Sequence, residues 1–240
     1  MEEFKEKYDI RWPKLTPGTL IRRYKRFMAD VRLEDGSVVT AHCPNSGRMT
    51  TCSDQGHPVF LSYHDKASRK LKFGWELIRM PESMVGVNTL VPNRLVQLAA
   101  QNKKIEEFLP YDKVRREVRS GRHTRFDLQL TAGDLPPCFV EVKNCTLVKG
   151  KIAFFPDAVT TRGQAHLKEL RRQVENGLSC FMFFVIQRMD AEILKPADDI
   201  DPEYGRQLRK AAEAGVGIIA FDVHLDLVGI RLRNRLPCIL

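Results

Sequence analysis

Arg125-Phe126-Asp127-Leu128-Gln129-Leu130-Thr131, followed after a short polar break by Cys138-Phe139-Val140-Glu141-Val142-Lys143-Asn144, reads as two strands. In the first, Phe126, Leu128 and Leu130 alternate with Asp127, Gln129 and Thr131, the period-two pattern of a half-buried strand. Gly133, Asp134, Pro136 and Pro137 interrupt it. So short a connection predicts an antiparallel hairpin. Successive strand side chains point to opposite faces, so Glu141 and Lys143 share one. Asp127 on the neighbouring strand is placed to lie beside them. Two carboxylates and a lysine on one sheet face are costly to desolvate without partners. A cross-strand salt bridge satisfies them, and so does a divalent metal ion.

Around this hairpin the chain has the length and composition of a globular protein of one or two domains. Its 240 residues are 43% hydrophobic, enough for a substantial core. No apolar run approaches the roughly 20 residues of a membrane span, which argues against a membrane partner. The charged start, Met1-Glu2-Glu3-Phe4-Lys5-Glu6-Lys7, lacks the apolar core of a signal peptide, and this predicts a cytoplasmic protein. The six cysteines contain no C-x-x-C pair and read as reduced thiols. His42, Cys43, Cys52 and His57 lack standard zinc spacing, and the adjacent His42 and Cys43 would face opposite sides of a strand.

Lysine and arginine number 39 against 30 acidic residues, a net charge of +9 that suits a polyanionic partner. Placement sharpens this. Arg22-Arg23-Tyr24-Lys25-Arg26-Phe27 interleaves cations with aromatics, and Lys113, Arg115, Arg116, Arg119, Arg122 and Arg125 lead directly to Asp127. Each run alone is a solvated basic face. Together they point to a track for a phosphate backbone, with Arg22, Arg23, Lys25, Arg26, Arg115, Arg116, Arg119, Arg122 and Arg125 as its contacts.

In chain order, the residues before about Met80 read as short strands. Asp35-Gly36 marks a hairpin, and Leu71, Phe73, Trp75 and Leu77 alternate with Lys70, Lys72 and Glu76. A barrel of about five strands fits, an oligonucleotide-binding type being the commonest; any small all-β domain fits equally. Pro81 and Gly86 suggest a division into 1–83 and 84–240. Beyond it, Val87-Asn88-Thr89 predicts the cap of a helix running to about Gln101, Thr160 or Thr161 opens a second, and Asp201-Pro202 a third. Cys180–Ile186 is apolar throughout, as a strand covered on both faces must be. The fold class is therefore α/β (α+β overall): a small β-barrel, OB-like or of another all-β type, followed by a mixed-sheet α/β domain.

Asp127 with Glu141-x-Lys143 resembles the PD-(D/E)XK, or restriction-endonuclease-like, signature. A longer series adds to it: Arg23-Tyr24-Lys25-Arg26-Phe27, His42-Cys43-Pro44-Asn45-Ser46-Gly47, Val87-Asn88-Thr89 with Pro92-Asn93-Arg94-Leu95-Val96, Phe155-Pro156-Asp157-Ala158-Val159-Thr160, and Arg162-Gly163-Gln164. Taken in order, these resemble the sugar fermentation stimulation protein family. The resemblance implies an OB-type barrel followed by a restriction-endonuclease-like domain, non-specific DNA binding, and a link to sugar (maltose) catabolism. It implies Asp127 and Glu141 as ligands of Mg²⁺ or Mn²⁺ and Lys143 as the positioning cation. Glu117 and Gln164 are further candidates near the metal. Phe126 stands where the superfamily commonly has proline.

Two functions follow from the resemblance. One is metal-dependent phosphodiester hydrolysis of nucleic acid, DNA or RNA, single-stranded or duplex. The other is a non-catalytic DNA-binding regulator of sugar catabolism. Retention of both carboxylates favours the first, since acidic groups facing phosphate do not help a protein that only binds it. Tyr24, Phe27, Phe73 and Trp75 are the candidate aromatics for stacking bases, with core packing the expectation for Phe73 and Trp75.

Overall fold

The computed structural model describes residues 8–120 and 124–240. After β1 (Ile10–Arg11), the chain forms β2 (Leu15–Tyr24), β3 (Met28–Leu33), β4 (Val38–His42), β5 (Pro58–Tyr63) and β6 (Phe73–Arg79). These pair in the order β4-β3-β2-β5-β6, and a parallel contact of β4 with β6 closes the barrel. Trp75, Leu77 and Ile78 are fully buried, so Trp75 is a core residue, as expected. β7 (Met84–Gly86) adds to β6.

The second unit begins with α1 (Val91–Gln101). This helix starts later than Asn88 suggested: the Asn88 Oδ1 accepts the Leu90 N–H at 3.0 Å, and the N-cap, Leu90, has no side-chain bond. Then come β8 (Lys113–Ser120), β9 (Thr124–Thr131), β10 (Cys138–Cys145), β11 (Leu147–Lys149) and β12 (Ile152–Phe155). α2 (Thr161–Glu175), β13 (Ser179–Ile186), β14 (Ile193–Pro196), α3 (Pro202–Glu213), β15 (Gly217–Leu225) and β16 (Gly229–Arg235) complete the chain. Thr160 caps α2, its hydroxyl accepting the Gly163 N–H, and Asp201 caps α3 by accepting from Tyr204.

A seven-stranded mixed sheet runs β1-β16-β15-β13-β10-β9-β8, with β10, β13 and β15 parallel. One face packs on α1 through Leu95, Val96, Val140, Val142 and Phe183. The other packs on α2 and α3 through Leu167, Leu170, Leu208, Met182 and Phe184. Covered on both sides, β13 is apolar for the reason anticipated. The hairpin of β9 and β10 is antiparallel, with Val140 opposite Leu128.

Several bonds cross the expected division at residues 83 and 84. β1 precedes the barrel yet pairs with β16 at the far edge of the large sheet. Thr89 Oγ1 donates to Pro44 O at 2.8 Å. Thr51 Oγ1 donates to Thr146 O at 3.1 Å. Barrel and sheet thus form one bonded frame, with a cleft between them.

Candidate active site

The floor of the cleft is β10. Its odd residues, Phe139, Glu141 and Lys143, face α2, and its even residues face α1. β9 does not keep its alternation beside them. Leu128 and Leu130 join the core under α1, whereas Phe126 joins the core under α2, so the three do not share a face as their spacing suggested. The strand turns over at Asp127. On β8, Glu117 has a left-handed φ of 52° between the pairs Arg116–Leu128 and Val118–Phe126, with no shift of register across it. The turnover lets the Asp127 side chain take a ladder position: its Oδ2 accepts the Val142 N–H at 2.8 Å. Its Oδ1 accepts from Asn93 Nδ2 of α1 at 2.6 Å.

Glu141 is buried, its side chain only 4% exposed. Lys143 Nζ donates to Glu141 Oε1 at 2.6 Å, and His166 Nδ1 of α2 bonds to the same oxygen. Arg162 Nε donates to His166 Nε2 at 3.4 Å, so the ring proton belongs on Nδ1 and points at the carboxylate. Glu141 Oε2 is buried, and among the described residues no donor reaches it. Burial pulls the Glu141 carboxyl up, but the Lys143 charge and the His166 bond outweigh it and hold the group below its ordinary value. Asp127 goes the other way. Burial first and the Glu141 charge second push it up to about 6, against the bonds from Val142 and Asn93.

This arrangement fits a hard divalent cation. Among the described residues no group of three or more His, Cys, Asp and Glu side chains is placed to hold a metal ion. Mg²⁺ and Mn²⁺ do not require one, since one or two carboxylates and retained waters suffice. An unpartnered buried oxygen on Glu141 beside the buried carboxyl of Asp127 supplies such a donor pair. A cation there would relieve the repulsion and take the place of the Asp127 proton.

Two family models match this chain. Residues 90–229 match the family model described as the sugar fermentation stimulation protein RE domain, and residues 21–87 match the SfsA N-terminal OB domain. The chain belongs to the sugar fermentation stimulation protein family. It is 53% identical to a sugar fermentation stimulation protein homolog of Geotalea uraniireducens over 92% of this chain and 96% of that one. It is 51% identical to a homolog of Pelobacter propionicus over 96% of this chain and 100% of that one. Among solved structures it is similar to Pyrococcus furiosus SfsA in complex with Ca²⁺, with TM-score 0.89 and 26% identity, covering 97% of this chain and 99% of that one.

The other residues singled out in the sequence of this family member are dispersed. Glu117 is exposed on the edge strand and ion-paired with Arg125 at 3.1 Å, away from the cleft. Gln164 bonds Asp201, the cap of α3, at 2.9 Å. Two positions along a helix of 3.6 residues per turn lie about 200° apart, so when His166 faces Glu141, Gln164 cannot. Arg22 pairs with Asp30 at 2.8 Å and lies over the Tyr24 ring, outside the cleft. Arg23, Lys25 and Arg26 line it, with Arg48 and Arg162. Arg115, Arg116, Arg119 and Arg125 are exposed on β8 and β9 at the sheet edge. Arg122 lies outside the described residues.

Asn93, Asp157 and His166 were missed as functional residues, although Asn93 and Asp157 stand within motifs that carried the family resemblance. Asp157 Oδ2 accepts the Met49 N–H at 3.0 Å and lies so close to Gly47 that a Cβ there would approach it to 2.4 Å. Only glycine permits that approach. No periodicity signals such a contact.

Proposed function

We propose that this protein is a divalent-metal-dependent phosphodiesterase acting on nucleic acid in the cleft between barrel and sheet. The observation that carries the reading is the buried, unpartnered Glu141 Oε2 beside Asp127, with the Lys143 cation on the same carboxylate. Membership of the family supports it, and so does the similarity to Pyrococcus furiosus SfsA, which was solved in complex with Ca²⁺. A bound Mg²⁺ or Mn²⁺ supplies Lewis-acid polarisation of the phosphate and a more acidic water. The chain's own residues do the rest. Asp127 and Glu141 seat the cation, and Asn93 and the Val142 N–H hold Asp127 in place. His166 fixes the Glu141 rotamer. Lys143, a compact charge held at the Glu141 carboxylate, would orient a phosphate oxygen or the attacking water. Arg48, Arg162, Lys25 and Arg26 offset the acidity of the floor for an incoming backbone.

We place this activity in the cytoplasm. The six cysteines are free, five of them buried, as suits a reducing compartment. Among the described residues no helix is long and apolar enough to cross a membrane.

Calorimetric titration with Mn²⁺, paired with cleavage of labelled oligonucleotides, tests the site. Asp127→Ala and Glu141→Ala lose metal affinity and cleavage together. Lys143→Ala keeps the metal and loses cleavage. A folded wild type that binds no Mn²⁺ refutes the reading. One that binds Mn²⁺ and DNA without cleaving any strand leaves the non-catalytic regulator of sugar catabolism.

A further inference from the structure

The walls of the cleft are tied together. From the barrel, the Asn45–Met49 loop forms one wall, and Arg23 threads beneath it. Its guanidinium donates to the carbonyls of Arg26, Arg48, Asn45 and Gly47 at 3.0, 3.0, 2.8 and 2.8 Å. Asn45, itself buried, accepts the Gly47 N–H at 2.9 Å and donates to Val87 O at 3.3 Å. Residues 155–163 form the opposite wall. Asp157 joins the two through the Met49 N–H, with Gly47 pressed against its carboxylate. Behind this clasp, Arg188 bonds both Thr51 and Thr146, fastening barrel to sheet again. Nothing in this bonding resembles a hinge.

The cleft, open to solvent at its mouth, has a volume of about 1020 Å³, near the upper end of small-ligand pockets. The reacting groups lie at its bottom, with the Glu141 and Lys143 side chains 4% and 13% exposed. A duplex holds its phosphates on the outside of a wide rod. Reaching buried groups between two fastened walls requires that one strand leave the other. A lone strand needs no such step.

The mouth of the cleft is equipped for one. At the β2–β3 tip, Lys25 and Arg26 both have left-handed φ, 47° and 62°, where Asn-Gly is the favoured pair. Such strain persists where the surroundings hold it and concentrates at functional sites. Both residues line the cleft. The next residue, Phe27, is 46% exposed and stacks on His42 with ring centroids 6.5 Å apart and planes 19° apart. An exposed ring backed by a second ring, beside cations, is the arrangement that holds an unpaired base.

We propose that the cleft admits a single nucleic-acid strand and excludes an intact duplex, with Phe27 on His42 as the platform for a base at its mouth. This rests on the hydrolytic reading for the identity of the floor, but makes a separate claim about what enters. The test is fluorescence anisotropy of the full chain in Ca²⁺, with DNA and RNA strands of about 12 nucleotides, within the site size of such barrels. A blunt duplex of the same sequence and an abasic strand are the comparisons. Charge density alone favours the duplex, so the expected result, a single strand bound at least about tenfold tighter, runs against electrostatics. Phe27→Ala weakens strand binding about tenfold, one stacked base. Phe27→Trp retains it, and Val38→Ala, an exposed apolar control on β4, leaves it unchanged. The abasic strand binds weakly and does not respond to Phe27→Ala. A blunt duplex bound as tightly as the strand, or strand binding indifferent to Phe27→Ala, overturns the proposal. A parallel Mn²⁺ cleavage arm separates the two readings. Internal cleavage of blunt duplex as fast as of strand overturns the single-strand claim and leaves hydrolysis standing. Phe27-dependent strand binding without cleavage supports the claim and removes hydrolysis.

Discussion

The β2–β3 hairpin and the β8 edge strand each carry a cluster of cations, and the two clusters are bonded differently. In the hairpin, Arg23 is consumed by four backbone carbonyls and Arg22 by Asp30. The Arg23 charge holds a wall in shape, Arg22 lies outside the cleft, and Lys25 and Arg26 at the exposed tip line it. On β8, Arg115, Arg116 and Arg119 stand exposed along an edge strand that has no further strand beside it among the described residues. Charges there deter edge-to-edge pairing and attract a polyanion at long range. Cations bonded to carbonyls make architecture; cations in water make a field. The difference predicts which substitutions cost stability and which cost salt-dependent affinity.

The largest effect is expected at the wall. Arg23→Ala leaves several loop carbonyls without a charged donor and should destabilise the protein by about 3 kcal/mol, since such bonds are worth roughly 1.5–3 kcal/mol each and do not add fully. Thermal melts measure it. An unchanged melting temperature would erase the distinction between the two clusters.

Next comes the cleft floor, where charge is buried and not bonded to saturation. The folded protein holds the Asp127 proton up to about pH 6, while the unfolded chain releases it near the ordinary value of 3.8. This contribution is therefore present below about pH 4 and lost as pH rises through about 6, an amount of about 2–3 kcal/mol. Asp127→Asn should flatten that part of the stability profile and raise stability at pH 8 by about 1–2 kcal/mol. Mn²⁺ should stabilise the wild type above pH 6 by mass action and leave Asp127→Asn unmoved. Melts at pH 4.5, 6 and 8, with and without metal, would expose an error in either sign.

The smallest effect on stability belongs to the edge. Replacing Arg115, Arg116 and Arg119 together by alanine should change stability by no more than about 0.5 kcal/mol. If all three meet phosphates, the slope of log affinity against log salt should fall by roughly 0.9 per contact on duplex DNA. Affinity measured from low to moderate salt decides it. A large stability loss with an unchanged slope would make β8 a structural element like the hairpin.

Much of this protein was legible in its sequence, because much of it is set by local pattern. Two-residue alternation located β9 and β10 and the barrel strands. An unbroken apolar run located β13, and Thr160 and Asp201 marked the starts of α2 and α3. Glu141 and Lys143 were also legible as neighbours, since β10 keeps its alternation and residues two apart on it share a face. What periodicity cannot state is which distant segment supplies the neighbour. Asp127 meets Val142 only because β9 turns over at that residue, against its own alternation. His166 rather than Gln164 reaches Glu141 because the rotation of α2 is fixed by Leu167 and Leu170 packing under it. Arg23 became part of a wall because three carbonyls of a loop more than twenty residues away converge on it. β1 crosses to the far sheet because β16 leaves an edge there to pair. Each of these is a choice among partners, decided by register and packing, and such choices exist only once the chain has closed on itself.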